Sequence, residues 1–240
     1  MITQQDKEYL SQLKIQHPEI YDFAQHLINA YRQDTRLGCH DIANIISLIF
    51  GNFQLLELTT PGLSDNPRWA QMNDDLRYLV ATMEAISFYR YADVIKPEEI
   101  SLHTFIQDKV EPIIKSPEYI KLHIITDICE LNPVIKIDTS KLAYVIKAIL
   151  DNIADNNCDA NVTLTICPKD NHLYFTISDN CSDISADIMS NFFNPFNSDK
   201  TGHIGLSLSS SYQIMMAHEG SIEIFPIGDK GYSYVLSLPC

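Results

Sequence analysis

The segment Arg36-Leu37-Gly38-Cys39-His40-Asp41-Ile42-Ala43-Asn44 places an imidazole beside a carboxylate and one helical turn before an amide. Imidazole is largely neutral and nucleophilic near neutral pH, so it accepts phosphoryl groups well. A carboxylate next to it can orient the ring or take its proton as the new bond forms. Ile42, Ile45, Ile49, Phe53 and Leu56 recur at spacings of three and four and form one apolar helical seam. His40, Asn44, Ser47 and Gly51 step along the opposite, polar face, so the histidine is offered to a partner and not to a core.

The elements that must position these residues have room to form. The chain of 240 residues suffices for two modest domains, and its hydrophobic content of 45% is that of an ordinary globular protein. A formal charge of −14 argues against a nucleic-acid surface, which needs clustered Lys and Arg, and suits basic or mixed-charge protein partners. The six cysteines, Cys39, Cys129, Cys158, Cys167, Cys181 and Cys240, form no CxxC pair. That spacing suggests neither a zinc cluster nor a disulfide framework, and reduced thiols are expected. The polar start, Met1 to Lys7, is unlike a signal peptide. No apolar run approaches the ~20 residues that span a bilayer, so a cytoplasmic protein without a membrane partner is expected.

Residues 7–57 read as helical, with Pro18 opening a new helix. Thr59-Thr60-Pro61-Gly62-Leu63-Ser64-Asp65-Asn66-Pro67 breaks the pattern, and a second helix runs from about Arg68 to Tyr91 with Leu76, Leu79, Met83 and Ile86 on one face. A two-helix hairpin cannot cover its own seam, so two copies forming a four-helix bundle are expected, hence a homodimer. Past Lys96, β-rich runs appear at Leu122–Ile128, Val134–Ile137, Val162–Cys167, Leu173–Ser178, Ser221–Phe225 and Tyr232–Leu238. Helical segments are expected near 102–115, 139–156, 183–193 and 205–218, which makes the whole an α+β chain with a sandwich as its second part. The domains read as 1–30, a helical extension; 31–96, the histidine-containing hairpin; and 97–240, the sandwich.

From about residue 30 the chain resembles the bacterial two-component histidine kinases. Ile137-Asp138-Thr139-Ser140-Lys141-Leu142 and Ala148-Ile149-Leu150-Asp151-Asn152-Ile153-Ala154-Asp155-Asn156 resemble the lead-in and body of the family's asparagine-bearing helix. Ile177-Ser178-Asp179-Asn180 resembles the start of its first glycine box, Phe193-Asn194-Pro195-Phe196 its phenylalanine box, and Gly202-His203-Ile204-Gly205-Leu206-Ser207-Leu208 its second glycine box. The resemblance implies a dimerisation and phosphotransfer hairpin followed by an ATP-binding domain of the GHKL type. It implies His40 as phosphoacceptor, Asp41 as acid/base helper, Asn44 as a residue for removing phosphate from a partner, and response-regulator receiver domains as partners. It implies a Mg-ATP site with Asn152 as the magnesium ligand, Asp179 reading adenine, and Gly202 and Gly205 approaching phosphate.

The chain also departs from that pattern. There is no glycine between Gly62 and Gly202. Cys181 and Asp183 stand where the first box has glycines, Ala148 stands at the family's first asparagine, and His203 replaces a glycine in the second box. Asp155 brings negative charge where a basic residue is common, and Asn197 to Thr201 is short for an ATP lid. These departures favour an eroded nucleotide site with no certain cofactor. The expected function is a kinase-like histidine phosphotransferase relaying phosphoryl groups between receiver aspartates through His40. The alternatives are a soluble histidine kinase phosphorylating His40 from ATP, and a non-catalytic pseudokinase adaptor. Phe192, Phe193 and Phe196 are expected to pack under the lid region.

Overall fold

The computed structural model describes residues 4–156, 159–181, 189, 191–198, 204–228 and 230–240, the side chains of 4–8 and 31–40 excepted. The chain divides into two compact units, Met1–Ser87 and Phe88–Cys240.

The first unit is helical. α1 (Gln4–Gln16) ends at His17, and Pro18 opens α2 (Pro18–Thr59), where its fixed φ and missing N–H cost nothing. The turn through Gly62, at φ +78°, leads to α3 (Pro67–Arg90), and Asn66 Oδ1 accepts the Arg68 N–H at 3.0 Å. Trp69 stacks on Phe53 with ring centroids 3.9 Å apart, and Arg77 lies over the Phe50 ring, so α2 and α3 form the expected hairpin. Ile46 is buried, but Ile42, Ile45, Leu48, Ile49 and Leu56 remain exposed in the single chain. One correction follows. Asp41–Thr59 is long and apolar enough, by length and composition, to cross a membrane, although no such run was expected. Its apolar residues are interrupted by single polar ones, so no unbroken run marks it in the sequence.

The second unit is a sheet covered by helices. β1 (Glu98–Ser101) pairs antiparallel with β3 (Val134–Ile137). Between them lie α4 (Leu102–Phe105), a π turn (Ile106–Val110), α5 (Glu111–Ile114), a 3-10 turn (Pro117–Tyr119) and β2 (Leu122–Ile128). α6 (Thr139–Ala154) follows, then β4 (Ala160–Lys169), β5 (His172–Asp179), α7 (Ser207–Ala217), β6 (Ser221–Pro226) and β7 (Tyr232–Pro239). The five-stranded sheet has the order β2-β4-β5-β7-β6, with β2 and β4 parallel and the other pairs antiparallel. β4 and β5 join through Asp170 and Asn171, both at positive φ, as a tight two-residue hairpin requires. Most of the expected helix near 183–193 lies outside the described residues.

Strand residues alternate between a buried and a more exposed face. The buried face meets Leu142, Val145, Ile146, Ile149 and Ile153 of α6, all at most 0% exposed, together with Ile214 and Met215 of α7. Each such side chain contributes roughly 1.5–3 kcal/mol on burial.

Asp138 fixes where α6 begins. Its Oδ1 accepts the Lys141 N–H at 3.0 Å as an N-cap, and its Oδ2 accepts the Lys96 N–H at 2.8 Å. Its own N–H donates to Nε2 of buried His218 at 2.9 Å, while His218 Nδ1 lies 2.8 Å from the Ile214 carbonyl oxygen. One cysteine expectation is corrected here: Cys181, just past β5, is disulfide-bonded, while Cys129, Cys167 and Cys240 are not. A disulfide joins residues brought together by folding, which linear CxxC spacing does not reveal.

Replacing His218 by Ala removes the acceptor of the Asp138 N–H and is expected to lower stability by about 1–3 kcal/mol. Urea unfolding checks this; an unchanged midpoint would show that the α6–α7 tie contributes nothing.

Candidate functional site

The site grows from the C-terminal half of α6. The apolar stripe of this helix must face the sheet, which leaves Lys147 and Asp151 on its outer side and Asn152 at the edge of the core. Lys147 Nζ bridges Asp151 and Glu118, at 2.9 Å and 3.1 Å, and the buried Tyr119 hydroxyl donates to Asp151. Burial and the Asp151 carboxylate hold the Tyr119 hydroxyl well above its ordinary pKa. This cluster anchors the turn before β2 to α6.

Asn152 faces the other way. Its Nδ2 donates to the Tyr234 hydroxyl at 2.9 Å. Tyr234 is fully buried on β7, and burial pushes its hydroxyl pKa far up; the Asn152 amide opposes the shift and the Asp179 charge adds to it. The hydroxyl therefore stays neutral, close to both the amide of α6 and the carboxylate that ends β5.

Asp179 is 4% exposed. Its Oδ1 accepts the Cys181 N–H at 2.9 Å and its Oδ2 the Tyr232 N–H at 3.4 Å. Gly231, at φ +101°, makes this possible: a Cβ there would stand 2.2 Å from the Asp179 carbonyl oxygen. Gly205, at φ +71°, is equally constrained, since its Cβ would meet the Asn197 backbone at 2.5 Å. The Phe196 N–H donates to the Gly205 carbonyl oxygen at 3.1 Å, which ties these two residues together. Phe192 is buried edge-on to Phe193, and Phe193 lies 5.7 Å from the Tyr212 ring. Phe196 departs from expectation: at positive φ it is 63% exposed.

The sequence-selected residues thus fall into two groups. Asn152, Asp179 and Gly205 all lie in the second unit, the first two near Tyr234. Gly202 lies outside the described residues, as do Ser182, Asp183 and His203. His40 sits on α2 in the first unit, but its side chain is outside the described residues. Asp41 and Asn44, on the same helix, are exposed. Sequence reasoning missed Tyr234 and Gly231. The signal for Tyr234 was a tyrosine at an inward strand position, where a buried hydroxyl must find a partner.

A magnesium nucleotide needs an oxygen ligand for the cation, an acceptor for the base, and backbone that can come close. The Asn152 amide, the buried Asp179 carboxylate and the side-chain-free approach at Gly231 fit that group. Asp155, exposed just past α6, and the disulfide-bonded Cys181 are the features that depart from it.

Gly228 provides a control for the constraint at Gly231, being left-handed at φ +59° with nothing near its would-be Cβ. Gly228→Ala is expected to cost about 1 kcal/mol from backbone strain alone. Gly231→Ala adds the clash with Asp179, and at least twice that loss is expected in urea unfolding. Equal losses would contradict the close approach.

Residues 137–240 match the model of the family described as histidine kinase-, DNA gyrase B-, and HSP90-like ATPase. A curated relative, the sensor histidine kinase CssS of Bacillus subtilis (strain 168), is 28% identical over 95 residues, 38% of this chain and 21% of that protein. The chain therefore spans only about a fifth of that relative. Among solved structures, full-length ShkA in complex with AMPPNP matches with a TM-score of 0.72 at 16% identity, over 86% of this chain and 45% of that one. Acinetobacter baumannii histidine kinase AdeS matches with a TM-score of 0.58 at 13% identity, over 83% of this chain and 97% of that one. Residues 137–240 thus match a histidine kinase-, DNA gyrase B-, and HSP90-like ATPase domain, and the chain is similar in sequence and fold to histidine kinases.

Proposed function

We propose that the chain works in two-component signalling as a histidine kinase, its second unit taking Mg-ATP and passing the phosphoryl group to His40. The observation that carries this reading is the convergence of the Asn152 amide and the buried Asp179 carboxylate around Tyr234, within a matched ATPase domain. It favours the kinase over the simple relay, which has no use for a nucleotide site. ATP is the substrate. Asn152 would hold magnesium through its carbonyl oxygen, and Asp179 would accept a hydrogen bond from the adenine amino group. Magnesium, when bound, neutralises charge on the phosphates. An imidazole nitrogen of His40 forms the new N–P bond, the bond from the γ-phosphorus to the ADP oxygen breaks, and Asp41 takes the imidazole proton.

Receiver domains of response regulators are the proposed acceptors of the phosphoryl group, and Asn44, one turn from His40, would position water for the reverse hydrolysis. The exposed Ile42, Ile45, Ile49 and Leu56 support a homodimer in which two hairpins cover one another. The eroded glycine positions favour one other reading, in which His40 receives phosphate only from phosphorylated receivers.

Incubation with labelled Mg-ATP separates the two. Label on the wild type and none on His40→Gln is expected; label from phosphorylated receivers only would replace the kinase with the relay, and label on His40→Gln would remove His40 from both.

A further inference from the structure

In the sheet register, Leu164, Ile177, Tyr234 and Ile224 form one row across β4, β5, β7 and β6. Three members are aliphatic and the fourth, Tyr234, is a hydroxyl-bearing side chain with no solvent exposure. Phenylalanine would fill the same volume. A buried hydroxyl is costly unless bonded, and this one is bonded to Asn152 Nδ2 at 2.9 Å. An amide whose nitrogen is committed in one direction presents its carbonyl oxygen on the opposite side. Cations bind that oxygen and are repelled by the N–H groups.

We infer that Tyr234 is a positioning residue for the cation site: by accepting from Asn152 Nδ2, it fixes the amide orientation that turns Oδ1 toward magnesium. The inference rests on the proposed Mg-ATP site but concerns a contact that the site could in principle lack. Turned over, the same amide would accept from the hydroxyl and point its N–H groups at the cation. In the structure the amide takes the first of these orientations, with its nitrogen on the buried hydroxyl.

The test is binding of a fluorescent ATP analogue to the intact chain, with magnesium and with chelator, for the wild type, Tyr234→Phe, Asn152→Ala and the double variant. Magnesium is expected to tighten wild-type binding, and Tyr234→Phe to lose about tenfold of that gain, as supporting partners of metal ligands typically do. Magnesium-free affinity stays unchanged, which a merely structural loss would not leave intact. In the Asn152→Ala background, Tyr234→Phe has no further effect. An undiminished magnesium gain in Tyr234→Phe overturns the inference while leaving the kinase reading in place. Nucleotide binding without any magnesium gain in the wild type does the same. No nucleotide binding by the wild type overturns both. If Tyr234→Phe does not fold, the wild type decides by nitrogen-edited NMR: slow exchange of the Asn152 side-chain amide protons, together with a magnesium-dependent shift of its carbonyl carbon, supports the inference, and fast exchange overturns it.

Discussion

The burial of one face of α6 against the sheet organises the second unit. Leu142, Val145, Ile146, Ile149 and Ile153 can all reach the core only if the helix lies in one rotation about its axis. That rotation sends Lys147 and Asp151 outward to meet Tyr119, and it brings Asn152 over Tyr234. A helix rotated by one residue would break both sets of contacts together. The candidate site is therefore not added to the fold. Its central amide is aimed by the same hydrophobic contacts that hold the domain together.

The start of α6 is fixed as firmly as its rotation. Asp138 gathers three hydrogen bonds, from Lys96, from Lys141 and to His218. Lys141 adds a bond to the Tyr91 carbonyl oxygen at 2.8 Å and lies 4.2 Å from the Phe88 ring centroid, with Phe88 itself stacked on Tyr144. Burial lowers the Lys141 pKa, against the pull of Asp138 and Asp93. The last turn of α3 thus belongs to the second unit, and the segment that follows it is anchored to α6.

Much of this was legible in the sequence because period carries structure. β2 and β3 appear at the residues where alternation and β-branched content place them, and the break from Thr59 to Asn66 falls where its turn residues cluster. β1 was not legible: Glu98-Glu99-Ile100-Ser101 is polar and short, and only pairing with β3 makes it a strand. The π turn at Ile106–Val110 carries no compositional mark. In the site, Asn152 and Asp179 were found through motif order, but Tyr234 was hidden because its partner lies 82 positions away and only the register brings them together. The Cys181 disulfide and the exposed Phe196 were missed for the same reason: local spacing contains neither.

The feature that decides between a working and an eroded nucleotide site is whether Asp179, already receiving two backbone N–H groups, still serves a base. Calorimetric titration of the wild type and Asp179→Asn with Mg-ATP measures this directly. The asparagine keeps an acceptor for the Cys181 N–H but loses the charge. The account predicts measurable wild-type binding, weakened about tenfold or more in Asp179→Asn, the magnitude of a hydrogen bond to a charged group. Equal affinities, or no binding by the wild type, would contradict it.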